Sequence, residues 1–250
     1  MNCAWRLILF AAGGIGLALF YGLACSRLPG PGELRDRYLR EINFRTKWEQ
    51  QITDAVTAVN FDYRGFDTLG EEFILFVSVM GTLVLLREAE EKHEQEEPDA
   101  LTKGRDVSPG DALRVWTMGM TGPTVLFGLY IVVHGQLTPG GGFQGGVILA
   151  TAPLLIYLTD DFKTFKRVAS HRLVEIAEAC GAGAYAVIGL IALFYGKEFL
   201  ANVFPLGQAG NLFSGGTVWA ISFVVGLEVA AGFTLLLYAF LQDTLSGSET

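Results

Sequence analysis

Six long apolar runs joined by polar connections leave this chain few ways to fold. A helix needs ~20 apolar residues to cross the hydrocarbon of a bilayer, and five runs come near that length. They are Leu7–Cys25, Val115–Val133, Gly142–Leu158, Ala179–Gly196 and Leu212–Leu241, the last interrupted by one charge, Glu228. The sixth, Phe73–Leu86, has 14 uncharged residues and spans only if the preceding Leu69-Gly70-Glu71-Glu72 also enters the membrane or its interface. Inside lipid the backbone has no water to bond to, so such segments close their hydrogen bonds internally as helices. The expected fold is an all-α integral membrane protein of about six transmembrane helices, two plus four, with a long connection after the first.

Composition agrees and excludes several functions. The 250-residue chain is 51% hydrophobic and only 18% charged, away from the balance of a soluble domain. A net charge of -8, with Lys and Arg mainly in connecting segments, excludes nucleic acid as a partner. Cys3, Cys25 and Cys180 are too few and too scattered for a disulfide framework. His93, His134 and His171 show no Cys/His spacing, so no metal site is expected. No nucleophile stands beside a base and an orienting group, and no cofactor is indicated. The first run has an alternative reading as a cleaved signal peptide, since Arg6 precedes an apolar core and Gly22-Leu23-Ala24-Cys25 is similar to a lipoprotein cleavage site. The length of the run, and Gly22 where an aliphatic residue belongs, stand against that.

Between the first two runs lies a 43-residue connection, Ser26–Thr68, opened by Pro29-Gly30-Pro31-Gly32. Leu34, Tyr38, Leu39 and Ile42 recur there at helical spacing among Arg35, Arg37, Arg40 and Arg45, the pattern of a helix on a membrane surface or against a partner subunit. A sharper boundary is Glu88–Asp99, dense in acid and closed by Pro98, which reads as a solvated linker. It divides the chain into residues 1–104, a two-helix module, and residues 105–250, a four-helix module. With six spans, both termini, the acidic linker and the loop after the fourth helix share a side that carries ten of the 18 Lys and Arg. The compact Lys163-x-x-Lys166-Arg167 points that side, and both termini, to the cytoplasm of a cell (inner) membrane.

Carboxylates within the apolar runs are the candidate functional groups. Glu228 has its nearest other charge 14 residues away at Asp243, so it falls near mid-membrane. An ionised, unpaired carboxylate there costs on the order of 3 kcal/mol by insertion scales, so Glu228 faces protein or water, or stays protonated. It is either a proton or cation relay or a group that holds neighbouring helices together. Glu71 stands three residues after Thr68, the spacing of a capping box, which leaves Glu72 as a second carboxylate with no structural duty. Glu175 and Glu178 follow Lys166, Arg167, His171 and Arg172, and are expected to lie on an interfacial face neutralised by those basic groups.

The connection His134-Gly135-Gln136-Leu137-Thr138-Pro139-Gly140-Gly141-Gly142-Phe143-Gln144-Gly145-Gly146 is the most distinctive local sequence. Its Gly140-x-Gly142-x-x-Gly145 matches a dinucleotide fingerprint, but that motif works only after a strand inside a βαβ unit, and both flanks here are apolar spans. The physical content is a tight reversal: Pro139 ends one helix, and Gly140, Gly141, Gly142, Gly145 and Gly146 allow positive φ and close helix contact. His134, at the edge of this loop, is either a hydrogen-bonded structural group or a proton carrier.

This loop, together with Val225-Gly226-Leu227-Glu228-Val229-Ala230-Ala231-Gly232, resembles the MrpB (MnhB) component of the Mrp multisubunit sodium/proton antiporters and its counterparts in membrane-bound hydrogenases, over roughly residues 108–242. Asn60-Phe61-Asp62-Tyr63-Arg64-Gly65-Phe66-Asp67-Thr68-Leu69-Gly70-Glu71 resembles the C-terminal part of the large MrpA component, which is a separate small subunit in hydrogenase-type complexes. Tyr63 stands where phenylalanine is expected, and the MrpB family has no acidic linker, so the chain looks like a fusion of two neighbours. The resemblance implies a part in sodium/proton exchange, or in coupling ion flow to a redox arm. The implied partners are the other subunits of such a complex, membrane lipids, and Na+ or H+. Carried over residue by residue, Glu71 and Glu228 match the families' membrane carboxylates; Glu72, His134 and the glycine loop are the further candidates. The alternative is a structural adaptor that joins antiporter-like subunits to a redox arm without conducting ions.

Overall fold

A computed structural model describes residues 3–26, 36–94, 110–159 and 162–247. The chain divides into two compact units, Met1–Glu41 and Ile42–Thr250. The first holds α1 (Cys3–Ser26), whose apolar part runs from Ala11 to Leu23. Helix α2 (Asp36–Trp48) crosses the boundary between the units. Pro29-Gly30-Pro31-Gly32, Leu34, Arg35, the end of the acidic run and the expected boundary near residue 104 lie outside the described residues.

The second unit contains α3 (Ala55–Ala58), a π turn (Val59–Tyr63), α4 (Gly65–Glu94), α5 (Asp111–Val133), α6 (Gly142–Thr159), α7 (Phe162–Val168), α8 (His171–Phe194) and α9 (Thr217–Gly247). Among the described residues there is no strand. Four helical segments, Gly65–Leu86, Asp111–Val133, His171–Phe194 and Thr217–Gln242, are long and apolar enough to cross a membrane, and Gly142–Leu158 is a shorter apolar helix. Their outer faces carry large exposed apolar side chains, among them Ile74, Val84, Leu85, Trp116, Leu126 and Phe194. In water this much apolar surface would drive aggregation, whereas lipid is its natural solvent.

Several boundaries differ from the sequence expectation, each for a local reason. The short run Phe73–Leu86 belongs to a helix that starts at Gly65 and continues through Glu94, so part of the expected acidic linker is helical. Thr68 and Glu71 form no capping box, because Thr68 lies inside α4 and its hydroxyl donates to the Asn60 carbonyl, 2.7 Å away, where the π turn gives way to α4. Helix α5 ends at Val133, well before Pro139, in a turn where the Leu137 amide donates to the His134 carbonyl (2.8 Å). Helix α9 begins at Thr217 rather than at Leu212. Gly215 and Gly216 hold φ of +78° and +57°, and Asn202 Oδ1 accepts from the Thr217 amide (2.8 Å), which fixes the start of the helix.

One end of the unit is tied together by its connections. The Thr53 and Asp54 amides donate to the Gln136 carbonyl (3.0 and 3.2 Å), Gln136 Nε2 donates to the Leu212 carbonyl (2.6 Å), and the Ala209 amide donates to Gln51 Oε1 (2.9 Å). The segment before α3, the glycine loop and the loop before α9 therefore share this end. At the opposite end Phe165 of α7 packs with Ala169 and Tyr238, and Val174 and Leu241 close around them.

Between the ends α9 is the central helix, packed against α4, α6 and α8, while α5 packs chiefly on α6. Glycines set the approach. A methyl group at Gly142 would lie 2.2 Å from the Ser222 carbonyl oxygen and 2.7 Å from the Gly226 amide nitrogen, and one at Gly146 would lie 2.7 Å from Val229 Cβ. On the other face of α6, Gly145 abuts the Gly128 carbonyl and Val132 of α5. Lipid tails supply no hydrophobic drive for helices to associate, so backbone contact through small residues is what packs this bundle. Gly142→Ala, which sets a methyl against backbone that cannot move aside, is expected to destabilise the protein by about 3 kcal/mol or more. The measurement is a lower melting temperature of the detergent-purified protein, and an unchanged melt would contradict the contact.

Candidate functional site

Glu228 lies on α9, about 16 Å along the helix from Thr217, and is fully buried. Its backbone rests against α8: a methyl group at Gly181 would meet Glu228 Cβ at 2.6 Å and Cα at 2.8 Å. Glu72, on α4, is 1% exposed, and its carboxyl is an electrostatic neighbour of those of Glu228 and Glu71. Among the described residues, neither oxygen of Glu72 or Glu228 has a hydrogen-bond partner. Burying a carboxyl without partners costs several kcal/mol. A proton, a cation or an ordered water can supply what these two groups lack.

Glu72 forms part of the wall of a cavity of about 230 Å³ that is also lined by Thr57, Asn60, Thr68, Glu71, Gly140 and Gln144. The first three come from α3, the π turn and the start of α4, and the last two from the glycine loop. The π turn Val59–Tyr63 is held by its flanks: Asp54 Oδ2 caps α3 at the Thr57 amide (2.8 Å), and the Arg64 amide donates to the Val59 carbonyl (2.8 Å). π turns are often found at functional sites. Glu71 is exposed beside the cavity, so this space joins an outer carboxylate to the buried Glu72.

The glycine loop does two separate jobs. Gly140 and Gly141 have φ of +156° and +118°, conformations that glycine adopts freely. Gly142, Gly145 and Gly146 instead provide the helix contacts described above. Pro139 is exposed in the loop. His134 is not among the residues that line the cavity. Its ring stacks on Tyr130 (4.0 Å between centroids), with Nδ1 3.0 Å from the Tyr130 carbonyl oxygen, at the C-terminal end of α5.

Two further residues bear on the site. Glu178 is 1% exposed and its Oε1 has no partner, which overturns its expected place on a basic-neutralised surface. Only Glu175 behaves as that expectation has it, pairing with His171 Nδ1 at 3.4 Å. Glu178 is an electrostatic neighbour of Glu228. The signal for it was the stripe Glu178, Gly181, Ala182, Tyr185, Ile188, Gly189, Ala192, all on the buried face of α8 at helical spacing. Tyr185 is fully buried and its hydroxyl donates to the Gly65 carbonyl (2.9 Å), fastening α8 to the start of α4 near Glu72. The carboxyls are strung along the bundle: among the described residues no three His, Cys, Asp or Glu converge as the ligands of a metal would.

The family described as "Domain related to MnhB subunit of Na+/H+ antiporter" matches residues 112–235. The B component of the Bacillus subtilis Na(+)/H(+) antiporter is 30% identical over 114 residues, which cover 44% of this chain and 78% of that protein. The chain belongs to the MnhB-related family. A chain in the structure of the membrane-bound sulfane sulfur reductase, an archaeal respiratory membrane complex, is 31% identical and superposes with a TM-score of 0.70 over 96% of this chain and 99% of its own. The Mrp complex of a Dietzia species contains a chain of the same fold, with a TM-score of 0.66 and 23% identity over 96% of this chain, which spans 26% of that one. The MnhB-related region takes in the glycine loop, Glu178 and Glu228, whereas Glu71 and Glu72 precede it.

In this MnhB-related chain Tyr185 is the link that keeps α4 in place beside α8. Tyr185→Phe removes one buried hydrogen bond and leaves the Gly65 carbonyl without its donor, a loss of about 1 kcal/mol. A lower melting temperature with the assembled complex intact is the expected result; an unchanged one would show that the bond contributes nothing.

Proposed function

We propose that this chain is a subunit of a multisubunit membrane cation/proton antiporter, or of the homologous ion-translocating module of a respiratory complex. In it, Glu71, Glu72 and Glu228 contribute carboxyl groups to Na+ or H+ translocation. The observation that carries this reading is the pair Glu72–Glu228: two buried carboxyls from different helices, electrostatically coupled, without protein partners, one of them in the wall of a polar cavity. A scaffold has no use for two unpartnered acids in its core, since replacing them with apolar groups would stabilise it. A relay needs groups that gain and lose a proton or cation in place.

The same reading extends to the architecture. Residues 1–104 and 105–250 are a fused pair of modules, the first corresponding to the C-terminal part of the large MrpA component. That 96% of this chain superposes on a single, longer chain of an Mrp complex supports the fusion. The partners are the other subunits of the complex, with lipid around the exposed apolar faces. We place the protein in the cell membrane with about six spans and both termini in the cytoplasm, so that the end bearing α7 faces the cytoplasm and the cavity at Glu71 opens outward.

Glu228→Gln keeps shape and hydrogen-bonding capacity but cannot release a proton. In vesicles containing the whole complex, cation-driven proton movement is expected to fall about a hundredfold or more, with subunit composition unchanged. Normal transport would instead support the adaptor reading, in which Glu228 joins helices without conducting.

A further inference from the structure

Glu178 has no role in the proposal above, yet it is as buried as the two carboxyls that do. It sits about 10 Å along α8 from His171, on the far side of Glu228 from the cavity. Helices α8 and α9 meet there in a reciprocal contact. Glu228 of α9 lies against Gly181 of α8, and Glu178 of α8 lies against Gly232 of α9, where a methyl group would be 3.4 Å from Glu178 Oε1. Each acid therefore occupies the space that a glycine on the other helix leaves open. Val79 of α4 closes the third side, 3.3 Å from the same methyl position.

Toward the end of the bundle the row of acids continues. Glu175, one turn closer to the helix start, is an electrostatic neighbour of Glu178 and is about half exposed (45%). Its Oε1 is 3.4 Å from His171 Nδ1, and the His171 ring lies edge-on to Tyr238 at 4.8 Å between centroids. The order Glu72, Glu228, Glu178, Glu175, His171 thus runs from the cavity beneath the glycine loop to the opposite end of the bundle.

We propose that Glu178 is the proton-carrying link between Glu228 and the α7–α8 end of the bundle, with Glu175 and His171 as its outlet. This rests on the reading of Glu72 and Glu228 as relay groups. In the transfer, the O–H bond of protonated Glu178 breaks as one forms on ionised Glu228, and the negative charge moves to Glu178. Glu178 then takes a proton from the Glu175–His171 pair, which refills from solvent. No oxidant, reductant or cofactor is required.

The packing limits what passes. Around Glu72 the cavity has room for several waters and so for a partly hydrated cation. Between Glu228 and Glu178 the helices are close enough that a methyl group at Gly181 would fall 2.6 Å from Glu228 Cβ. A hydrated cation does not fit such a contact, whereas a proton needs only two oxygens within reach. The two halves of the row accordingly differ: the cavity half admits a cation, and the glycine-packed half passes protons.

The test uses vesicles containing the intact complex, with cation-driven proton movement measured for Glu178→Gln, Glu178→Asp, Glu72→Gln and Glu228→Gln. For Glu178→Gln the expected result is a fall of about a hundredfold with unchanged subunit composition, and partial recovery in Glu178→Asp, which restores an ionisable group. Normal proton movement in Glu178→Gln, while Glu72→Gln and Glu228→Gln abolish it, overturns the role of Glu178 and leaves the relay reading standing. Normal movement in all the Gln variants overturns both. Should Glu178→Gln fail to assemble, Gly232→Ala shifts the carboxyl without removing it. Slowed proton movement then supports the link, and an unaltered rate overturns it.

Discussion

Backbone-to-backbone approach at glycine sets the other distances in this protein. Gly142 and Gly146 bring α6 onto Gly226 and Val229 of α9, Gly145 and Gly128 bring α6 onto α5, and Gly181 brings α8 onto Glu228. Because lipid surrounds the bundle, burying apolar side chains yields little, and helices hold together through dispersion contacts that operate only at short range. A bundle packed on leucine ridges would separate the axes and leave the acids of neighbouring helices out of reach of one another. Close approach is therefore the condition for the row of carboxyls as well as for the fold.

The same geometry explains why three acids are tolerated in the interior. Each comes from a different helix: Glu72 from α4, Glu178 from α8 and Glu228 from α9. Each side chain is housed at a helix contact rather than in a separate void, and Tyr185 and Val79 close the flanks. The energetic cost of such groups is real, and the bundle meets it with firm anchors at both ends. One end is the hydrogen-bonded seam joining Thr53, Gln136, Leu212 and Ala209, and the other is the aromatic cluster of Phe165 and Tyr238. Rigid ends around a costly centre suit a device that works by moving charge rather than by large motion.

How much was legible in the sequence depended on how isolated a signal was. Glu228 stood out because no other charge lies near it in the chain, which fixes its depth in the membrane without any partner being known. Glu178 was hidden for the opposite reason: Lys166, Arg167, His171 and Arg172 precede it closely, and local pairing explained it well enough. Its burial is decided by Gly232, more than fifty residues away. The capping box at Thr68 and Glu71 misled similarly, since the spacing was right but the π turn upstream lets the helix begin at Gly65 and gives the hydroxyl another acceptor.

The apolar runs by themselves determined that this is a helical membrane protein, because a backbone in lipid has no other way to satisfy its hydrogen bonds. The glycine loop and the surroundings of Glu228 likewise determined the family. What only the tertiary structure decided is which acids are neighbours. Helical period places a residue on a face of its own helix, but the partner face depends on how close two axes come and at what register. Those are set by contacts such as Gly181 with Glu228 and Gly232 with Glu178, between residues far apart in the chain.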